Sequence, residues 1–457
     1  MDSAMKFKLH SYGCKVNTYD SGLIQKNLAG QGFTTVDGAR SATTEDEPRI
    51  HILNTCAVTA EATKEAVRLI RKLKARDPLA TVVVTGCAAQ VDTGSFENLP
   101  GADLVVANSH KGDLPRILDQ HFKGTLPARV LKSNIFRKDD LEAGGGLEEN
   151  HSRAFLKIQD GCNSFCSYCI IPYARGKSRS IPIKDLVARV NELTKLGFEE
   201  VVLTGVHIGD YEDVQAKEPR KLEDLVENVL KYTKIPRIRL TSLEPVEVSE
   251  RLLELYVSDV RLCRHFHMSI QSGSTAVLKD MKRHYGEKEV RESLARIRER
   301  LPDAFIGMDV IAGFPTETEE LFEETYRTLN ETPWTRLHVF PYSERKGTRA
   351  ETFKQIPNEV RKARARRLRE LSLARFREEA DKQLGLRKEV LLLKDRKPEN
   401  DSRLGLSRDY WNILIDGMSG GEADAPGEIP VEITGYRFDQ SPRMEGVLLG
   451  RPVGGRL

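Results

Sequence analysis

The chain has 457 residues, enough for two or three domains, and a formal net charge of +3 that is close to neutral. Hydrophobic residues make up 39% of it and charged residues 30%, an ordinary composition for a soluble protein, and no apolar run reaches the roughly 18 residues of a transmembrane helix. The first residues lack a secretory core, so we expect a cytoplasmic protein that has no membrane partner. Seven cysteines, an odd number without an export signal, argue against a disulfide framework and leave reduced thiols available as metal ligands.

The first section, residues 5–130, repeats a short β-rich run followed by a polar helical segment. We predict strands at 6–11, 49–53, 81–85 and 103–107, and helices that include 17–30 and 59–76. Strands that alternate with helices predict an open parallel α/β sheet.

Cysteines follow the first three of these strands, at Cys14, Cys56 and Cys87, here called the N-terminal trio. In an open parallel sheet, ligands bind beyond the carboxyl ends of the strands, so these thiols can converge although they are far apart in the sequence. Gly13 and Gly86 beside them allow tight backbone turns. The alternative is three small buried side chains, since a free cysteine often packs in a core. Three matching strand ends favour a metal site.

A polar, Gly-rich stretch at 131–152 indicates a linker that leads into a second section, residues 153–384. We predict strands there at 154–158, 200–204, 237–241, 266–270, 305–310 and 336–340. The helices between them are predicted at 183–196, 222–232, 249–257, 274–282, 288–300 and 317–329. This succession predicts a partial (β/α)6 barrel, an incomplete relative of the barrels that carry their chemistry on the loops after the strands.

The loop after the first barrel strand holds Cys162, Cys166 and Cys169 in a C-x3-C-x2-C pattern, here called the loop trio. A [4Fe–4S] cluster takes four ligands, normally Cys thiolates. Three cysteines in one loop, with no fourth cysteine close behind, indicate a cluster in which one iron has no protein ligand. A substrate or cosubstrate binds at such an open iron. The alternatives are a zinc knuckle, which usually has a second Cys/His pair, or three unlinked core cysteines.

Polar residues also follow the later barrel strands, on the rim that carries the cysteine loop. They include Thr204, Ser242, Glu244, Gln271 and Asp309. Each alone is weak evidence because loops are polar, but their position on one rim predicts a pocket there. Cys263 has no motif partner, so we expect a buried thiol, and we expect the alternating His265 and His267 to be core or pocket wall.

The last section begins with a basic helix at 357–384, followed at 385–452 by short β-like runs between Gly, Pro, Asp and Asn residues. We predict strands at 388–393, 404–408, 410–415, 428–436 and 444–449. Short strands of this number indicate a small antiparallel β-barrel of the kind that binds oligonucleotides. The dense basic run between Arg345 and Arg377 is either a solvated helix face or a patch that faces phosphates.

The motifs and their order resemble the radical SAM methylthiotransferases over nearly the whole chain. The loop trio on a βα barrel is similar to the radical SAM superfamily, the N-terminal trio to the methylthiotransferase domain, and the C-terminal barrel to a TRAM domain. Residues 11–21 (SYGCKVNTYDS), 54–64 (NTCAVTAEATK) and 161–176 (GCNSFCSYCIIPYARG) are most similar to the branch that acts on N6-threonylcarbamoyladenosine in tRNA. The isopentenyladenosine branch usually has Gln-Met-Asn after its first cysteine and the ribosomal-protein branch Pro-Lys-Asn, where this chain has Lys15-Val16-Asn17.

The resemblance implies two [4Fe–4S] clusters and two molecules of S-adenosylmethionine (SAM) per turnover. The loop trio would bind the SAM cluster, and the N-terminal trio would bind the auxiliary cluster. One SAM would donate a methyl group to sulfur held at the auxiliary cluster, and the other would supply the radical that abstracts hydrogen from C2 of the adenine. Similarity to radical SAM barrels nominates as SAM contacts Tyr168, Thr204, Ser242, Glu244, Gln271 and Asp309, with Arg264 and Tyr342 as weaker candidates.

As partners, the resemblance implies a tRNA anticodon stem-loop and a reductant protein such as flavodoxin or ferredoxin, and it names no sulfur donor. We expect a monomer. An anticodon loop offers unstacked bases at low cost, and phosphate contacts would come from the basic helix and the small barrel. The rival functions are methylthiolation of isopentenyladenosine or of an aspartate in a ribosomal protein, RNA binding without catalysis, and a radical SAM reaction on a small metabolite.

Overall fold

The structure is a computed structural model that describes residues 5–36, 48–138, 141, 152–215, 218–393, 402–418, 427–438 and 446–453. Its N-terminal part is a six-stranded parallel sheet with helices. Its strands are β1 (Lys6–Ser11), β2 (Thr34–Thr35), β3 (Ile50–Thr55), β4 (Thr81–Gly86), β5 (Leu104–Ala107) and β6 (Val130–Leu131), in the order β2-β1-β3-β4-β5-β6. Its helices are α1 (Lys15–Ala29), α2 (Ala60–Arg76), α3 (Cys87–Val91), α4 (Gly94–Glu97) and α5 (Leu114–Phe122). The predicted parallel sheet is confirmed, whereas β2 and β6 are too short to have a sequence pattern.

The central part is the predicted partial barrel. Its long strands are β7 (Arg153–Lys157), β10 (Glu200–Thr204), β11 (Arg237–Leu240), β12 (His265–Gln271), β13 (Phe305–Ala312) and β14 (Arg336–Pro341), with a short pair β8 (Gln159–Asp160) and β9 (Arg179–Ser180). The long strands form two three-stranded parallel sheets, β11-β10-β7 and β12-β13-β14. Isolated bridges connect the two sheets, and one of them joins Ile238 on β11 to Leu262, three residues before β12. The helices are α6 (Ile171–Arg175), α7 (Ile183–Lys195), α8 (Leu222–Tyr232), α9 (Glu250–Ser258), α10 (Thr275–Asp280), α11 (Glu287–Arg300) and α12 (Glu319–Glu331).

The C-terminal part is the long helix α13 (Asn358–Asp381) and a closed five-stranded barrel. The strands are β15 (Arg387–Leu392), β16 (Arg403–Ser407), β17 (Asn412–Ile415), β18 (Glu428–Phe438) and β19 (Gly446–Pro452), in the order β15-β16-β17-β19-β18. The barrel is antiparallel as predicted, except that β17 and β19 pair in parallel. The third strand begins later than predicted because Tyr410 lies in a turn with a φ of 73°. Residues 444 and 445 of the predicted last strand lie outside the described residues.

The small barrel closes the end of the central barrel where the parallel strands begin. Arg237 and Arg239 on β11 are fully buried, and they share the carboxylate of Glu200 at 2.7 and 3.0 Å. Both guanidinium groups also donate to backbone carbonyls of the small barrel, and the Tyr410 ring stacks on His265 with 3.7 Å between ring centroids. The interior of the central barrel therefore has a floor made by the C-terminal domain.

Helix α13 is held against the central barrel by its own arginines. Arg361 and Arg364 are buried and pair with Glu344 and Glu317 at 2.9 and 3.0 Å. The sequence left open whether this run is a solvated helix face or faces phosphates, and neither alternative holds for these two residues, whose charges are paired inside the protein. The basic side chains of this helix that stay exposed include Lys362, Arg366 and Arg377. No helix within the described residues is long and apolar enough to cross a membrane.

A buried charge network joins the N-terminal sheet to the central barrel. Asp20 on α1 contacts Lys157 on β7 at 2.6 Å, and both Lys111 and Arg175 at 3.0 Å. Asp160 contacts Lys157 and Arg175 at 3.0 and 2.9 Å. Burial raises the pKa of Asp20, but Lys111, Lys157 and Arg175 outweigh that effect and hold it well below its usual range. The network's contribution to stability is therefore complete above about pH 4, the pKa of an unfolded Asp, and is lost as the pH falls toward the folded value.

We predict that Asp20→Ala lowers the free energy of unfolding by about 3 kcal/mol, because it leaves three cations facing one another in a buried site. Denaturant unfolding at neutral pH measures the loss. Glu61→Ala is the control, since it breaks the exposed Glu61–Arg68 pair, and such pairs contribute about 1 kcal/mol or less. Equal stability of the two variants would contradict the importance of the network.

Candidate active site

The loop trio lies at the carboxyl end of β7, between β8 and α6. Backbone hydrogen bonds fix the loop at its start, where Cys162 N–H donates to the Gly176 carbonyl at 3.1 Å, and in its middle, where Ser167 N–H donates to the Met281 carbonyl at 3.1 Å. All three cysteines line one open cleft. Since the thiols share one wall of the cleft, the loop presents them together to whatever occupies it.

The thiols of the loop trio are close enough to influence one another. Burial, followed by the neighbouring Cys166, raises the pKa of Cys169 to about 12. Burial also raises the pKa of Cys162, but hydrogen bonds with His207 and Ser164 outweigh that effect and lower it below its ordinary value. Three thiols that line one partly buried site could serve as metal ligands, which favours this interpretation over unlinked core residues.

Most of the rim residues nominated from the sequence line the same cleft: Tyr168, Ser242, Glu244, Gln271, Asp309 and Tyr342. Two of them have strained backbones, since Ser242 and Gln271 adopt φ values of 50° and 63°. Left-handed backbone in residues other than glycine is costly and is concentrated at functional sites. The two left-handed residues therefore favour the hypothesis that this rim binds a ligand.

Two nominated residues lie outside the cleft. Thr204 is buried, and its hydroxyl hydrogen-bonds to the hydroxyl of Thr241 on the next strand at 3.3 Å. Arg264 precedes β12, at the opposite end of the barrel from the cysteine loop, and it pairs with Asp303 at 2.8 Å. Cys263 is buried as predicted, and its sulfur lies 3.9 Å from the Arg261 carbonyl.

Charged residues that the sequence did not single out complete the cleft. Arg283 forms an ion pair with Glu244 and donates to the Tyr168 hydroxyl at 2.8 Å. His207 bonds to Glu247 at 2.5 Å and lies 4.0 Å from the Cys162 sulfur. Burial raises the pKa of Glu244 even though Arg283 opposes it. His207 follows β10 on the predicted rim, so its position was a usable signal, whereas Arg283 lies in a helix-to-helix connection and gave none.

The N-terminal trio also converges. Cys14, Cys56 and Cys87 follow β1, β3 and β4 at the carboxyl edge of the sheet, as predicted. Burial, then the Cys87 thiol, raises the pKa of Cys56 to about 12, and Cys14 contributes to the same shift. Cys14 is exposed while its two partners are buried, so the trio opens to solvent on one side.

The short helix α6 brings the two trios to one domain interface. It follows Cys169 directly, and Ile170 and Ala174 pack in the same hydrophobic cluster as Cys87. The side-chain amide of Asn108 donates to both the Ala174 carbonyl at 2.9 Å and the Cys87 sulfur at 3.6 Å. Val58 and Thr59, next to Cys56 in sequence, line the cleft of the loop trio. The two sets of thiols therefore face a common region.

An aromatic patch lies beside the cysteine loop. Phe165, Tyr173 and Phe136 contact one another with ring centroids 5.8 to 6.2 Å apart. Phe165 and Tyr173 are 37% and 43% exposed. Exposed aromatic faces of this kind are platforms on which nucleic-acid bases stack.

The sequence matches two family models, the "Radical SAM superfamily" over residues 156–329 and "Uncharacterized protein family UPF0004" over residues 6–107. Threonylcarbamoyladenosine tRNA methylthiotransferase MtaB of Aquifex aeolicus is 36% identical over 89% of this chain and 97% of the relative. The chain belongs to the radical SAM methylthiotransferase family. MtaB of Rickettsia prowazekii is 36% identical over 86% of this chain and 89% of its own length. The tRNA-2-methylthio-N(6)-dimethylallyladenosine synthase of Protochlamydia amoebophila is 32% identical over 91% of this chain and 92% of its own length.

Solved structures have a similar fold. The radical S-adenosylmethionine methyltransferase TsrM from Kitasatospora setae is 15% identical, with a TM-score of 0.55 over 75% of this chain and 77% of that chain. The cobalamin-dependent S-adenosylmethionine radical enzyme OxsB is 13% identical, with a TM-score of 0.50 over 76% of this chain and 54% of that chain. At these identities the likeness is one of fold alone, and it agrees with the predicted α/β class.

Membership of this methylthiotransferase family implies SAM and a [4Fe–4S] cluster. The loop trio fits such a cluster, because it offers three thiols to one cleft and leaves one iron for another ligand. When bound, the cluster and SAM supply the radical chemistry. The protein itself offers the cleft a loop held by backbone hydrogen bonds, the charged Glu244–Arg283 pair and a rim with left-handed backbone at Ser242 and Gln271, all of which could orient a bound ligand.

We predict that replacing the loop trio with Ala lowers the iron content of anaerobically reconstituted protein by about four atoms per chain, because one [4Fe–4S] cluster is lost. Iron and sulfide analysis measures the change. Cys263→Ala is the matched control, since this thiol is buried away from the cleft and its removal should leave the iron content unchanged. An equal loss in both variants would indicate a general folding defect instead.

Proposed function

We propose that this chain adds a methylthio group to C2 of N6-threonylcarbamoyladenosine next to the anticodon of tRNA, giving 2-methylthio-N6-threonylcarbamoyladenosine. The observation that carries the proposal is the meeting of two cysteine trios at one domain interface, joined by α6. The names of relatives that match at 35–36% identity support this substrate. A radical made on one side of the interface and sulfur held on the other would both reach a base placed between them.

We propose that the N-terminal trio holds a second [4Fe–4S] cluster. Its three thiols again leave one iron open, and the exposed Cys14 side gives a substrate access. When bound, this cluster supplies the sulfur, while one SAM supplies the methyl group and another the radical, so two SAM are used per turnover. The guanidinium of Arg175 interacts electrostatically with Cys14, and its positive charge opposes the rise in the pKa of Cys14 that burial causes.

We propose that SAM binds in the cleft of the loop trio. Glu244 and Arg283 suit its two charged groups, because the carboxylate can accept from the amino group and the guanidinium can donate to the carboxylate. The remaining contacts would come from other lining residues: Tyr168, Ser242, Gln271, Asp309 and Tyr342. The buried Tyr342 hydroxyl has no hydrogen-bond partner among the described residues, and a bound SAM would give it one.

We propose that the anticodon stem-loop binds across all three units, with the aromatic patch stacking a base beside the cleft. The units are residues 5–130 for the second cluster, 153–384 for the radical step and 385–452 for RNA, joined by the linker at 131–152. Exposed basic residues such as Lys362 and Arg366 would contact phosphates, so affinity should fall with added salt. We expect a monomer that works in the cytoplasm, where tRNA is found, with a flavodoxin or ferredoxin as electron donor.

We predict that Gly13→Ala lowers the iron content from about eight to about four per chain, because the second cluster is lost. A Cβ at Gly13 would lie 2.6 Å from the Cys56 Cβ and 2.7 Å from its sulfur. Gly32→Ala is a matched control, since Gly32 has a similar positive φ but nothing within 4 Å of an added Cβ. About eight irons in Gly13→Ala, or about four in the unchanged protein, would contradict the second site.

The proposed activity is tested with reconstituted protein, SAM, a reductant and anticodon stem-loops that carry either threonylcarbamoyladenosine or dimethylallyladenosine. Mass spectrometry of the digested nucleosides should detect the methylthio product from the first RNA, and Cys166→Ala should give none because the loop trio is incomplete. Product from the dimethylallyl RNA alone would favour the activity named for the Protochlamydia relative. Product from neither RNA would leave the ribosomal-protein reaction as the alternative.

A further inference from the structure

A polar cluster, here called the chamber, lies on the inner strands of the central barrel beside the SAM cleft. Its members are His267, Asp309 and His338 on β12, β13 and β14, and Tyr410 of the C-terminal barrel, which stacks on His265 of β12. Asp309 also lines the SAM cleft. The chamber therefore borders the place where the reacting base would sit.

His267, Asp309 and His338 form a compact hydrogen-bonded group. The His267 Nε2 atom lies 2.9 Å from the Asp309 carboxylate, and His338 Nδ1 lies 3.6 Å from the same oxygen. Asp309 and His338 are paired neighbours in the sheet, which keeps their side chains on one face. The two imidazole rings are 5.5 Å apart.

Lys15 of the N-terminal domain is electrostatically coupled to the chamber residues. It is the first residue of α1, is partly buried, and directly follows Cys14 of the N-terminal trio. Its ammonium group interacts electrostatically with Asp309, His338 and Tyr410. It is the largest cause of the lowered pKa of Tyr410. Within the described ranges no carboxylate forms a direct ion pair with Lys15. Residues of all three domains thus interact with one another here, although the Asp309 carboxylate is bonded to His267 and does not pair directly with Lys15.

The other chamber groups are uncharged or already matched. Burial lowers the pKa of His338 to about 4, so its ring is neutral at neutral pH. The Asp309 pKa is lowered because His267 outweighs the effect of burial, so its carboxylate is ionised and already bonded. The Nδ1 atom of the buried His265 has no hydrogen-bond partner among the described residues. The chamber therefore fits a ligand with one negative charge and several hydrogen-bonding groups.

We propose that Lys15 binds the carboxylate of the threonylcarbamoyl group and that this chamber selects that group over an apolar N6 substituent. The inference rests on the proposed function and names the residue that decides its substrate. A threonylcarbamoyl group carries one carboxylate, one hydroxyl and urea N–H groups. The carboxylate matches the ammonium of Lys15, and the hydroxyl and N–H groups match Asp309, His338 and His265 as hydrogen-bond partners.

The position of Lys15 suits this role. In adenine, a single ring nitrogen separates C2 from C6, the carbon that bears N6. A base held with C2 near the N-terminal trio therefore brings its N6 substituent close to Lys15, the residue after Cys14. A dimethylallyl group in the same place would bury against an ammonium and offer it no partner. A site built for polar groups rejects an analogue that lacks them, because its own groups are then left unpaired.

The test compares the binding of three anticodon stem-loops to the full reconstituted protein. They carry threonylcarbamoyladenosine, its methyl ester, or unmodified adenosine. We expect the unchanged protein to bind the ester about tenfold more weakly than the acid, because a charge-assisted hydrogen bond is lost. Lys15→Gln should bind the acid about tenfold more weakly and bind the ester and the unmodified RNA as the unchanged protein does.

Lys123→Gln is the matched control, because it removes the same charge from an exposed lysine at the end of α5. Iron analysis of Lys15→Gln verifies that the neighbouring Cys14 site is intact. Equal affinity for acid and ester in the unchanged protein, or an equal loss for all three RNAs in Lys15→Gln, would overturn the assignment. Either result can occur while the unchanged protein methylthiolates the threonylcarbamoyl RNA, so failure of the inference is distinguishable from failure of the proposed function.

Discussion

The buried network of Asp20 and Asp160 with Lys157, Lys111 and Arg175 is the constraint on which the site depends. Charges removed from water must stay paired, so the N-terminal sheet cannot slide along the central barrel without leaving one of them alone. Arg175 is the last residue of α6, the helix that follows the loop trio, and its charge also reaches Cys87 and Cys14. One set of contacts therefore fixes the docking of two domains and the relative position of the two cysteine trios.

The cysteine trios could be predicted from the sequence because the rules involved are local or general. The loop trio lies in one short loop, and the N-terminal trio follows from the fact that parallel strands end at a common edge. The Asp20 network, Arg283 and Lys15 could not be predicted, because their partners belong to segments that meet only after the domains dock. The burial of Arg361 and Arg364 could not be predicted for a related reason, since a charged helix sequence does not state which side faces a neighbour.

The two nominated residues outside the cleft fail for different reasons. Arg264 stands before its strand, at the wrong end of the barrel, so the same edge rule that found the cysteines was sufficient to exclude it. Thr204 is at the correct end of the barrel, but its buried hydroxyl accepts a hydrogen bond from Thr241, the residue that follows the adjacent strand β11. The distance between neighbouring strands decides that contact, and a single strand's sequence carries no information about it.

The floor of the central barrel makes the C-terminal domain more than an attachment. Glu200 and its two arginines are fully buried only because the small barrel covers them, and Tyr410 closes the space beneath His265. A chain without this domain would open its reaction space to water from below. The domain is thus not modular, because exchanging it for another small barrel would remove the residues that cover this end of the central barrel. In the function proposed above, one structural element would both bind RNA and exclude water from the reaction space.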